Sequence, residues 1–184
     1  MSERLADSLR CVAWTGHRVI PNPELVAGSA DRVLAEVVRQ SRQDAGNGAR
    51  DCALSGFGSA AMGADLIVAG ACIRLGVPIR LVLPCSTKHM LASMPWSLRS
   101  TFTRVCDASL EVLTADCEAA SEEDHIKVAQ QISTKADVLI AVWDGLPARG
   151  PGGTGDVVRM CSGRCIPIVR IDPQSAAIDW SCFG

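Results

Sequence analysis

Two patterns alternate along this chain: short continuous apolar runs, and longer stretches in which apolar residues recur every three or four positions. Continuous β-branched runs mark strands buried on both faces, and the periodic stretches mark amphipathic helices laid over them. Cys11-Val12-Ala13-Trp14 is the first run and ends at Thr15-Gly16. Asn22 is placed to cap a helix that has Pro23 at its first position. Val26, Val33, Leu34, Val37 and Val38 give this helix an apolar face, and Gly46 and Gly48 close it. A second strand is predicted over Asp51 to Ser55, running into a Gly56-Phe57-Gly58 loop. The helix expected next, from about Gly63 to Leu75, is rich in small residues: Ala64, Ala69, Gly70 and Ala71. Small residues allow close approach to a sheet or to a second subunit, so a homodimer packed through this helix is expected.

Pro78 to Leu83 predicts a third strand, stopped by Pro84. The stretch from Cys85 to Val105 is the least regular and reads as short helices. Ser109 to Leu113 predicts a fourth strand. Ser121 and Asp124 have capping-box spacing ahead of a helix burying Ile126, Ala129 and Ile132. Asp137 to Trp143 is the clearest strand in the chain. A glycine-rich loop, a helix from about Gly153 to Cys161 and a strand from Ile166 to Ile171 follow, with the tail from Asp172 read as coil. This alternation predicts an α/β fold: a Rossmann-like, doubly wound, mainly parallel sheet of five to seven strands with helices on both faces. One domain is expected over residues 1–184, its core at about 10–172. Right-handed crossovers put every strand's C-terminal end on one edge, where ligands bind at the reversal of strand order. The loops after Trp14, Ser55, Leu83 and Trp143 should therefore meet.

Those loops hold the candidate chemistry. Gly150 to Asp156 places four glycines before a helix, so that the backbone and helix N-terminus can approach a phosphate. Gly152, Gly153, Thr154, Gly155 and Asp156 are its candidate ligand contacts. In Thr15-Gly16-His17-Arg18, Thr15 and the Gly16 amide can donate to a phosphate and Arg18 can bind one bidentately. Arg18 also reads as a surface charge, and His17 as a structural turn histidine. No G-x-G-x-x-G is present, so the standard dinucleotide fingerprint is missing. Gly56, Phe57, Gly58 and Pro84 complete the expected lining. Asp65 either favours its helix dipole or reaches a ribose hydroxyl, and Asp144 is the other carboxylate with a route into the cleft. Trp143 and Trp96 read either as bases' stacking partners or as core and interface aromatics.

Composition narrows the setting. The 184 residues are 48% hydrophobic and 21% charged, with a net charge of −2, as in an ordinary globular domain. Such a chain has no global field to attract nucleic acid or acidic membranes, so an anionic ligand must be held locally. Nine cysteines contain no Cys-x-x-Cys, and Cys161 and Cys165 lack a second pair. Reduced thiols, no metal, no cofactor, no membrane and a cytoplasmic location are expected.

Thr15-Gly16-His17-Arg18, Gly63-Ala64-Asp65, Ala136-Asp137 with its apolar strand, and Gly150 to Gly155 together resemble the SLOG superfamily. That Rossmann-like group includes LOG proteins, DprA-like domains, and the nucleotide-sensing domains of TRPM channels and Thoeris systems. The resemblance implies first the binding or sensing of a nucleotide-derived small molecule: ADP-ribose, a cyclic ADP-ribose isomer or NAD. A homo-oligomer and a separate effector protein are the implied partners. The first alternative is a LOG-like N-glycosidase acting on nucleoside 5′-monophosphates. Against it, Arg159 stands where LOG enzymes carry a glutamate and Asp156 where they carry threonine; Asp144 and Asp156 are the substitute catalytic carboxylates. DprA-like nucleic-acid binding is the second alternative, ranked last for want of a basic run.

Overall fold

The computed structural model describes residues 10–46, 54–115, 117 and 119–182. Gly48 and the expected strand start at Asp51, Cys52 and Ala53 lie outside them. Six parallel strands and one antiparallel strand form a single sheet in the order β4-β3-β2-β1-β5-β6-β7. In chain order these are β1 (Cys11–Gly16), α1 (Pro23–Gly46), β2 (Ser55–Gly58), α2 (Ala64–Arg74), β3 (Ile79–Leu83), α3 (Thr87–Ser93) and α4 (Trp96–Asp107). Then follow β4 (Glu111–Thr114), α5 (Glu122–Lys135), β5 (Val138–Val142), α6 (Thr154–Gly163), β6 (Ile168–Ile171) and β7 (Ile178–Cys182). The chain winds outward from β1 to β4, then returns to pair β5 beside β1. The strand order reverses at that β1/β5 junction.

Strand side chains alternate between two cores. Val12, Trp14, Val138, Ile140 and Val142 face α1 and α2, whereas Ala13, Leu139 and Ala141 face α5 and α6. Both faces are buried, which is why β1 and β5 read as unbroken apolar runs. The Ser121–Asp124 capping box forms, with the Asp124 amide donating to Ser121 Oγ at 3.2 Å and the Ser121 amide to Asp124 Oδ2 at 3.0 Å. Asp137 sits at the opposite sheet edge, where its Oδ2 accepts from the Cys11 amide at 2.8 Å and pins the start of β1.

Two expectations are corrected. Gly56-Phe57-Gly58 is strand rather than loop, because the fully buried Trp14 ring lies over both glycines. A Cβ on Gly58 would stand 2.2 Å from Trp14 Cε2, and one on Gly56 3.0 Å from Cζ3. The tail is not coil: β7 pairs antiparallel with β6 across a turn held by Asp172 Oδ1, which accepts from the Gln174 and Ser175 amides. Ile178 and Trp180 pack on the core from this strand. Of the small residues of α2, Ala64, Ala69 and Ala71 are fully buried within the chain, and Gly70 is half-buried. No helix among the described residues is long and apolar enough to cross a membrane.

Candidate nucleic-acid interface

A cleft of about 760 Å³ opens at the C-terminal edge of the sheet, over the β1/β5 junction. It is within the size range of small-molecule sites but open enough for a longer ligand. One wall is the loop after β1. The His17 amide donates to Val142 O at 3.1 Å and His17 O accepts from the Ala64 amide at 3.0 Å, so β5 and α2 clamp this turn from both sides. Gly16 fits only without a side chain, since its Cβ would fall 2.4 Å from Ala64 Cβ. The clamp leaves the Arg18 side chain exposed on the rim. Among the described residues no carboxylate pairs with its guanidinium.

The glycine-rich loop forms the facing wall, and much of its glycine content serves the chain itself. Gly152 has φ +70°, and a Cβ there would stand 2.4 Å from His125 O. A Cβ on Gly155 would lie 2.6 Å from the Ala148 nitrogen. The Gly152 amide donates to Asp156 Oδ2 at 3.0 Å and the Gly153 amide to Gly150 O at 3.1 Å. What remains for a ligand is the first turn of α6: the Thr154 and Gly155 amides have no acceptor among the described residues, and both residues line the cleft. A helix start with open amides attracts anions.

The carboxylates separate by environment. Asp144 is enclosed by its own chain: His17 Nε2 at 3.3 Å, Arg149 at 2.8 Å and the Leu146 amide at 3.0 Å. Burial pushes its carboxyl up, but the Leu146 amide, His17 and Arg149 outweigh that and hold it below the ordinary value. Asp156 is taken by the Gly152 amide and by Arg159 at 2.8 Å. Neither lines the cleft, and neither do Gly56, Phe57 and Gly58. Asp65 does line it. It is 7% exposed, and burial pushes its carboxyl up to about 7, moderated by the Ala61 amide and by Arg18. The structure thus brings together Thr15, Gly16, His17, Arg18, Asp65, Pro84, Gly152, Gly153, Thr154 and Gly155.

Sequence reasoning missed His89, Glu122 and His125. His17, His89 and His125 are all the histidines of the chain, and all three line this cleft. His89 Nδ1 lies 2.8 Å from Ser86 Oγ. Burial, with Arg18 second, holds the His125 imidazole below its ordinary value. Trp143 also lines the cleft, its Nε1 donating to Leu146 O at 2.7 Å. Trp96 is 84% exposed and outside it, with Arg99 5.5 Å from its ring. The segment after Cys85 supplies the Met90 and Met94 wall.

No family model matches the chain, and no curated protein matches it. Solved structures do. DNA processing protein A from Streptococcus pneumoniae superposes with a TM-score of 0.60 at 13% identity, over 88% of this chain and 50% of that one. Its counterpart from Helicobacter pylori, characterised for its single-stranded DNA binding mode, gives 0.54 at 16% identity, over 92% of this chain and 68% of that one. The chain therefore spans half the length of the streptococcal protein. Both neighbours process DNA, which overturns the ranking drawn from the sequence. Nucleotide sensing loses first place, and nucleic acid is no longer the least expected partner. The chain has the Rossmann-like fold of DprA proteins, the fold to which its motifs pointed.

Proposed function

We propose that this domain binds single-stranded DNA, with the sugar-phosphate backbone crossing the mouth of the cleft between Arg18 and the start of α6. One observation carries this reading. An exposed guanidinium without a carboxylate partner and two unmatched helix-start amides, Thr154 and Gly155, stand on facing walls of one open cleft. Arg18 suits a phosphate because its planar fork can hold two oxygens at once. The helix-start amides suit a second by geometry and dipole. These groups act locally, so a net charge of −2 is no obstacle. The shared fold with DprA proteins adds a precedent for this occupant.

A binding role is favoured over N-glycosidic cleavage by the carboxylates. Asp144 and Asp156 both lie outside the cleft lining, each paired with an arginine and accepting from a backbone amide. The test is fluorescence anisotropy with a labelled oligothymidylate of about 16 nucleotides at about 50 mM salt. Saturable binding displaced by single-stranded but not by duplex competitor supports the proposal. No binding at that salt concentration refutes it.

A further inference from the structure

The segment that forms α3 and α4 differs in charge from the rest of the chain. From Pro84 to Cys106 it has no aspartate or glutamate, although the chain has 20 acidic residues. Its cations are Lys88, Arg99 and Arg104, and among the described residues no carboxylate pairs with any of them. Helical spacing puts Trp96, Ser100, Thr103 and Arg104 on one exposed face of α4, with Phe102 and Val105 buried on the other.

Trp96 is 84% exposed, whereas tryptophan is ordinarily among the well-buried side chains. Its ring is nevertheless braced. Arg99 Nε donates to Met94 O and Nη2 to Ala92 O, each at 3.3 Å, and the guanidinium so held lies 5.5 Å from the centre of the indole. A ring held in this way loses little freedom when a flat group stacks on it. Ser93 and Met94 line the cleft, so Trp96 stands just beyond the wall they form.

The matching occupant carries negative charge and flat aromatic surface together. An acidic peptide meets the cations but not the indole, and an apolar surface meets the indole but not the cations. A single nucleic-acid strand supplies both at once. The opposite wall is less suited to carry the strand onward, because its exposed arginines, Arg149 and Arg159, are already paired with Asp144 and Asp156. We infer that the strand leaves the cleft over α4 and stacks a base on Trp96, outside the cleft, with a neighbouring phosphate drawn to Arg104. This rests on the reading of the domain as a single-strand binder, and it gives the strand a path over the surface.

The test measures the affinity and salt dependence of oligothymidylate binding, by anisotropy, in Trp96→Ala, Trp96→Phe and Arg104→Ala. Trp96→Ala is expected to bind about tenfold more weakly, the scale of one lost base stack. Its plot of log K against log salt should keep the slope of the unaltered protein, since a stacked base releases no counterions. Trp96→Phe keeps a ring and should retain most of the affinity. Arg104→Ala should flatten the slope by about 0.7. Melting curves matching the unaltered protein are expected for all three, because both side chains are exposed. Unchanged affinity in Trp96→Ala overturns the inference, leaves single-strand binding standing and assigns this face to a protein partner. A loss accompanied by a flatter slope also overturns it, because the ring would then serve a phosphate contact rather than a base. No binding by the unaltered protein removes this inference together with the single-strand reading.

Discussion

Gly63 lies against the backbone of Arg18 so closely that a Cβ on it would stand 2.4 Å from the Arg18 carbonyl oxygen. Its φ of +88° is a conformation that L side chains rarely adopt. The glycine before α2 thus sets the height of the loop that carries Arg18. Gly63→Ala is expected to cost about 1–3 kcal/mol in backbone strain, a fall of roughly 4–8 °C in melting temperature for a 2 kcal/mol loss. DNA affinity should fall with it as the Arg18 loop shifts. A calorimetric scan showing an unchanged melting temperature would remove Gly63 from this role.

Arg18→Ala is expected to weaken single-stranded DNA binding by about 1.5–3 kcal/mol, the range for a hydrogen bond to a charged group. Losing one phosphate contact should also flatten the plot of log K against log salt by about 0.7. Titrations at several salt concentrations read both quantities. An unchanged slope would mean that Arg18 touches no phosphate.

Asp65 predicts a pH dependence of stability. Its carboxyl rises from 3.8 to about 7 on folding, chiefly through burial. Between those values the unfolded chain gives up its proton first, so stability falls as pH rises across the window and remains lowered above it. Asp65→Asn does not titrate, and should exceed the unaltered protein by a few kcal/mol at about pH 8, with a smaller advantage at about pH 4. Urea denaturation at both pH values measures the gap. A gap of the same size at each would show that Asp65 is not held protonated by the fold.

The cysteines give a simpler test. Cys72 is fully buried and its thiol is pushed up to about 12, mainly by burial, whereas Cys165 is exposed. Brief alkylation of the native protein, read by peptide mass spectrometry, should modify Cys165 far ahead of Cys72. Comparable labelling of the two would indicate that the α2 side of the core opens readily.

The β1 and β5 runs were legible because both faces of those strands are buried, leaving no polar alternation to confuse them. Gly56 and Gly58 misled because local glycine signals say loop, whereas these two make room for a tryptophan from the neighbouring strand. Strand β7 carried a usable signal, the alternation of Ile178, Asp179, Trp180 and Ser181, which is the pattern of a half-buried strand. In the site, the loops after β1 and β5 could be placed from topology alone. Asp144 and Asp156 could not be judged, since their engagement depends on Arg149, Arg159 and loop amides whose geometry no spacing rule supplies. His89, Glu122 and His125 could have been found: each lies in the first turn of its helix, and in this topology helix starts gather at the ligand-binding edge.

Photo-cross-linking to a single-stranded oligonucleotide, followed by peptide mapping, tests the central claim most directly. Cross-links concentrated on the segments carrying Thr15 to Arg18 and Gly150 to Asp156, and competed by unlabelled single strand, are the predicted result. Cross-links confined to the outer face of α4 or to the β4 edge would contradict it, placing the DNA away from the cleft.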